Sequence, residues 1–149
     1  MFEPMPEHPR HSPPRRPVVL LVAADEVARA TYAYGLSALG FDLVVAADAR
    51  QAHARSLVIQ PDVIVTERPQ LEIDRWPVLR ALKSDPRTRG IPVVILTDST
   101  AHVVRERAER EGCDALCLKP CEASTLALAL RAVLDRRPPS RLRDAHALR

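Results

Sequence analysis

No stretch of this chain approaches the ~20 apolar residues that a membrane-spanning helix needs. The first seventeen residues hold six of the fourteen prolines and no apolar core of the kind that marks a secretory signal. The expected location is therefore the cytoplasm. Cysteine is scarce and odd in number: Cys113, Cys117 and Cys121. That count, without a signal segment, argues against a disulfide framework. Their spacing of four invites a metal reading, but no histidine or carboxylate pattern completes a site, so they read as free thiols around a buried strand. The four glycines stand alone, which removes the Gly-rich phosphate loop of a nucleotide- or flavin-binding enzyme. His53, His102 and His146 have no partners at ligand spacing.

What is present is a core of ordinary globular balance, 46% apolar and 28% charged over 149 residues. That length suits one domain. Charge is concentrated in the ends. Residues 1–17 carry +1 and residues 136–149 carry +4, against a total of +3. The basic character belongs to the tails, read as a disordered Pro/Arg-rich leader over 1–17 and a basic tail over 138–149. The domain spans 18–137. A short Arg-rich tail invites a nucleic-acid reading, but no helix-turn-helix segment accompanies it, so nucleic acid is not the expected partner.

Hydrophobic patterning alternates through that domain. Val18 to Val22 is a continuous apolar run, the mark of a strand buried on both faces. Asp25 stands where a helix begins and can cap it. Ala28, Thr31, Tyr32, Gly35, Leu36 and Leu39 follow at helical spacing, and Gly40 stops the helix. Strands are then expected over 42–46, 63–66, 91–97 and 115–118, and helices over 49–59, 77–83, 101–111 and 122–136. Leu126, Leu130, Val133 and Leu134 form the inner face of the last helix. Five strands alternating with five helices predict a flavodoxin-like, doubly wound α/β fold with parallel strand order 2-1-3-4-5. Such sheets carry their working residues at the carboxyl ends of the strands. The places to inspect are Ala23-Ala24-Asp25, Glu67-Arg68, Thr97-Asp98 and Lys119-Pro120.

At those places the sequence resembles the receiver domains of bacterial response regulators. The run from Leu79 to Thr97, with Ser84-Asp85-Pro86 and Gly90-Ile91-Pro92 inside it, is similar to the family's third helix, loop and fourth strand. Gly112-Cys113-Asp114-Ala115 leading to Lys119-Pro120 resembles its fifth strand and Lys-Pro signature. Leu39-Gly40-Phe41 and Pro61-Asp62-Val63-Ile64-Val65 match the end of its first helix and the approach to its phosphorylated residue. The resemblance covers about 120 residues in order.

The resemblance implies a chemistry of phosphoryl transfer to an aspartate, with Mg²⁺ held by an acidic pair, a lysine on the phosphoryl group and a switch hydroxyl. This chain matches only part of that set. Thr97 falls on the switch hydroxyl and Lys119 on the lysine, with Pro120 after it implying a cis peptide bond. The phosphoacceptor position falls on Glu67. The acidic pair falls on Ala23 and Ala24, with Asp25 one step too late to replace either. The aromatic switch position falls on Leu116. In the loop after the acceptor, Leu71 and Arg75 replace a proline and a glycine, while Asp74 matches.

The losses fall on chemistry and the scaffold survives. Mg²⁺ demands an octahedral set of hard oxygen ligands, so Mg²⁺ binding is expected to be weak or absent. No metal, cofactor or enzymatic activity is expected. Glu67 reaches further than an aspartate by one C–C bond, about 1.5 Å. It either pairs with Lys119 or stands in water as a rim carboxylate, where an ion pair contributes little. Thr97 is either a switch or a strand-end hydroxyl bonded to local backbone. Trp76 lies near the site loop as a packing or partner-facing residue. The expected function is a single-domain pseudo-receiver that signals without phosphorylation. Its partner is a sensor kinase, an effector or a second copy of itself, met through about 101–136. The alternatives are a working response regulator that accepts phosphate on Glu67 and a nucleic-acid-associated regulator using the basic tail. A dry pocket closed by Lys119 favours the first reading, and a cation-coordinating Glu67 favours the second.

Overall fold

The computed structural model describes residues 15–67, 77–98, 100 and 102–136. The elements alternate as β1 (Val18–Val22), α1 (Glu26–Ala38), β2 (Asp42–Ala46), α2 (Ala49–Ile59), β3 (Val63–Glu67), α3 (Pro77–Ser84), β4 (Val93–Thr97), α4 (His102–Arg110), β5 (Ala115–Leu118) and α5 (Ala123–Arg136). The five strands form one parallel sheet in the order β2-β1-β3-β4-β5. The expected fold class and strand order are therefore the observed ones. Register runs without a slip: Leu20 pairs with Val44 and Ile64, Val65 with Val94, and Ile95 with Leu116.

Both faces of the sheet are covered, so the strands are apolar on both sides. On one face Val19, Leu21, Val63, Val65, Val94 and Leu96 pack beneath α1 and α5, around Leu36, Phe41, Leu126 and Leu130. On the other, Leu20, Val22, Ile64, Val93 and Ile95 meet Ala52, Leu79, Leu82 and Ala108 of the remaining helices. Leu134 is only partly buried at the rim of the first cluster, while Ala127, two turns before, sits within it.

Local chemistry sets the ends of the elements. Asp25 caps α1, its Oδ2 accepting the Ala28 amide at 3.1 Å. Asp48 caps α2 in the same way through Gln51 N at 2.8 Å. Gly40 follows α1 at φ +101 and Gly112 follows α4 at φ +93, conformations that a side chain disfavours. Two expected strand boundaries move. Strand β4 starts at Val93 rather than 91, because the Ile91 amide turns back to Thr88 O at 3.0 Å and Pro92 has no N–H to give. Strand β3 runs one residue further than expected, to Glu67. The calls on residues 1–14 of the leader, the tail, Leu71, Asp74, Arg75 and Trp76 lie outside the described residues.

Candidate functional site at the carboxyl edge of the sheet

Parallel strands end side by side, so the last residues of β1, β3, β4 and β5 converge on one edge. Ala23 follows β1 and is buried to 1% exposure. Its amide donates to Ala46 O at 3.0 Å, and its carbonyl accepts Arg29 Nη1 at 2.8 Å. Its methyl group offers no ligand to a metal ion. Ala24 and Asp25 are exposed. The Asp25 carboxylate is occupied as the cap of α1.

Glu67 ends β3 with its side chain 12% exposed, and the Lys119 ammonium, 22% exposed, meets Glu67 Oε1 in a direct ion pair. Thr97, at the end of the intervening strand β4, is buried to 1% exposure. Its carbonyl accepts the Lys119 amide at 2.7 Å, which extends the β4–β5 ladder one rung past Leu118 and holds the lysine backbone against the edge. The Lys119–Pro120 peptide bond is cis. The structure thus brings Glu67, Thr97 and Lys119 together and sets Ala23 beside β3 through the neighbouring strand β1. Leu116 is half-buried against the opposite cluster.

Three further groups lie on the same face of the sheet and were not assigned a role from sequence. Tyr32 of α1 packs on the same side, and its phenol titrates above its ordinary range because of burial, then Cys121, Glu67 and Cys117. Cys117 and Cys121 belong to the same cluster and are free. Helical spacing put Tyr32 on the inner face of α1, and strand alternation puts Cys117 under α1 and α5. Neither signal says how near these groups come to Glu67. Among the described residues, no three His, Cys, Asp or Glu side chains stand together as a metal set. No helix there is long and apolar enough to cross a membrane.

No family model matches the chain. It is 27% identical over 120 residues to the DNA-binding dual master transcriptional regulator RpaA of Synechocystis sp., covering 80% of this chain and 50% of that protein. It is 28% identical over 126 residues to response regulator Rre1 of the same organism, covering 83% and 54%. The chain therefore spans about half the length of these curated relatives. Among solved structures, the signal receiver domain of a signal transduction histidine kinase from Syntrophus aciditrophicus superposes with TM-score 0.69 at 27% identity, over 83% of this chain and 96% of that one. With the sheet order and the Lys-Pro edge, these likenesses identify the chain as carrying a response-regulator receiver domain.

Proposed function

We propose that this receiver domain is a pseudo-receiver: a two-component signalling module that works without phosphorylation, by protein–protein contact. The observation that carries this is the ion pair between Glu67 and Lys119, set beside the buried methyl of Ala23. In a working receiver the acceptor carboxylate must be open to a phosphodonor and share a cation with an acidic pair. Here the acceptor position is filled by a longer carboxylate already neutralised by lysine.

The donor set supports the same reading. A cation at this edge would find Glu67 engaged by an ammonium, methyl groups at Ala23 and Ala24, and Asp25 committed to a helix cap. Mg²⁺ dehydrates reluctantly and needs a near-ideal octahedron of oxygens. These residues do not fit it. No phosphoryl-transfer step is assigned to them, and the module acts as a binding protein rather than an enzyme.

The likenesses to response regulators support a sensor kinase, an effector or a second copy as the partner. The surface offered is α4, β5 and α5. Leu118 is 50% exposed at the end of β5 and Leu128 is 72% exposed on α5. Leu116 of β5 carries no aromatic ring at the position where the resemblance places a switch.

The test is incubation of the full chain with Mg²⁺ and acetyl phosphate, read by intact mass and site mapping. The expected result is no phosphoryl adduct. An adduct mapped to Glu67 sinks the proposal and installs the reading of a working regulator with a glutamate acceptor.

A further inference from the structure

The amino edge of the sheet, opposite the Glu67–Lys119 pair, holds a cavity of about 380 Å³. Clefts that take small ligands measure about 300–1,000 Å³. One wall is Lys83, at the end of α3, with Arg89, Gly90 and Pro92 from the stretch that follows. The other is Asp114, just before β5, with Val133 and Arg136 of α5.

The charges on these walls fall into two groups. Lys83 is spent within the fold. Its ammonium donates to Arg89 O at 3.2 Å and Ile91 O at 3.0 Å, and it lies 3.5 Å from Asp114 Oδ2. That contact offsets the charge of Asp114, whose Oδ2 also accepts the Val93 amide at 2.8 Å. Arg89 and Arg136 are both exposed, and among the described residues neither guanidinium meets a carboxylate. Arg136 gives its Nε to Ala132 O at 3.2 Å, which leaves both Nη groups to other acceptors. The helix dipole accounts for a cation in the last turn of a helix, and so for Lys83 and Arg136. It does not account for Arg89, which stands in the turn after α3. A Cβ built on Gly90 would meet no atom within 4 Å, so the mouth beside Arg89 is open.

We propose that this cavity binds a small phosphate monoester of the nucleoside monophosphate class, with Arg89 and Arg136 on the phosphate. A guanidinium presents a planar fork of donors that matches phosphate oxygens, and it stays charged at any working pH. Two such groups lining one cavity offset the charge of a dianion. Pro92 and Val133 give an apolar wall for the organic half of the ligand. Lys83 is a positioning residue: its bonds to the carbonyls of Arg89 and Ile91 fix the turn that presents Arg89. The site stands at the far end of the sheet from Glu67 and Lys119, so it does not rest on the pseudo-receiver reading.

The experiment titrates the full chain with adenosine 5′-monophosphate in a chloride buffer and follows the amide spectrum. Adenosine and inorganic phosphate are titrated beside it. Arg89→Gln, Arg136→Gln and the double variant are compared with Arg55→Gln, an exposed arginine of α2 outside the cavity lining. The spectrum of each variant without ligand checks its fold. The expected result is saturable shifts confined to residues 83, 89, 90, 133 and 136. Each single substitution should weaken binding about tenfold and the double one should abolish it, while Arg55→Gln binds as wild type. Shifts that do not saturate, shifts at 67, 97 and 119 instead, or saturation that survives in the double variant would overturn the proposal. Adenosine or inorganic phosphate binding as tightly as the nucleotide overturns the ligand class. So does a short DNA duplex that saturates the same signals more tightly than the nucleotide.

Discussion

At the amino edge of the sheet, aspartates do structural work. Asp62 accepts the Val18 amide at 2.7 Å while its own amide donates to Val18 O at 2.8 Å. Asp114 repeats the pattern on Val93, with both contacts at 2.8 Å. Nearby, Thr88 is fully buried and gives its hydroxyl to Leu82 O at 2.6 Å. Asp85 collects Arg87 N, Arg87 Nη2 and His53 Nε2 at 2.8 to 2.9 Å. At the carboxyl edge stand the methyl groups of Ala23 and Ala24 and the ion pair of Glu67 with Lys119. On the proposed reading, folding and phosphorylation are separable demands on one sheet, one made at each end.

If that contrast holds, substitutions at the amino edge and core should cost stability, and those at the carboxyl edge should cost binding. The largest effect is expected from Leu82→Ala. The side chain is fully buried, and its loss leaves a cavity costing about 2–5 kcal/mol in urea unfolding. Thr88→Val should follow at about 1–3 kcal/mol, because it leaves the Leu82 carbonyl without its donor in a buried corner.

Acid should expose the same corner. The Asp85 carboxyl is held well below the usual carboxylate range by hydrogen bonds from Arg87 and then His53. A depressed folded pKa means the stabilisation is complete above the unfolded value and is lost as pH falls from about 4 towards the folded one. Asp85→Asn should flatten that acid limb in a pH series of melting temperatures.

At the other edge, Glu67→Gln should cost only about 1 kcal/mol, since the pair is partly solvated. It should nevertheless reduce partner binding, measured by titration calorimetry once a partner is in hand. Ala24→Asp, on an exposed residue, should change stability by less than about 0.5 kcal/mol.

Much of the fold was legible in the residues. Apolar runs located all five strands, and Asp25 and Gly40 marked the two ends of α1 because capping is local. The start of β4 was misplaced, since Ile91 has strand chemistry but its amide is taken by a turn. The candidate site was legible as positions, because the strand ends could be counted. The meeting of Glu67 with Lys119 remained one of two readings. It joins residues 52 apart across two strand ends, and no local pattern fixes a side-chain direction over that distance. Tyr32 escaped for the same reason: its proximity to Glu67 comes from how α1 lies on the sheet.

The most direct test of the central claim is an amide spectrum of the chain titrated with Mg²⁺ and beryllofluoride, an acyl-phosphate mimic, beside the triple variant A23D/A24D/E67D. With Glu67 paired to Lys119 and no acidic pair, the wild-type signals of residues 67, 97 and 119 should not move, while those of the variant should shift saturably. Saturable shifts at those residues in the wild type would contradict the account.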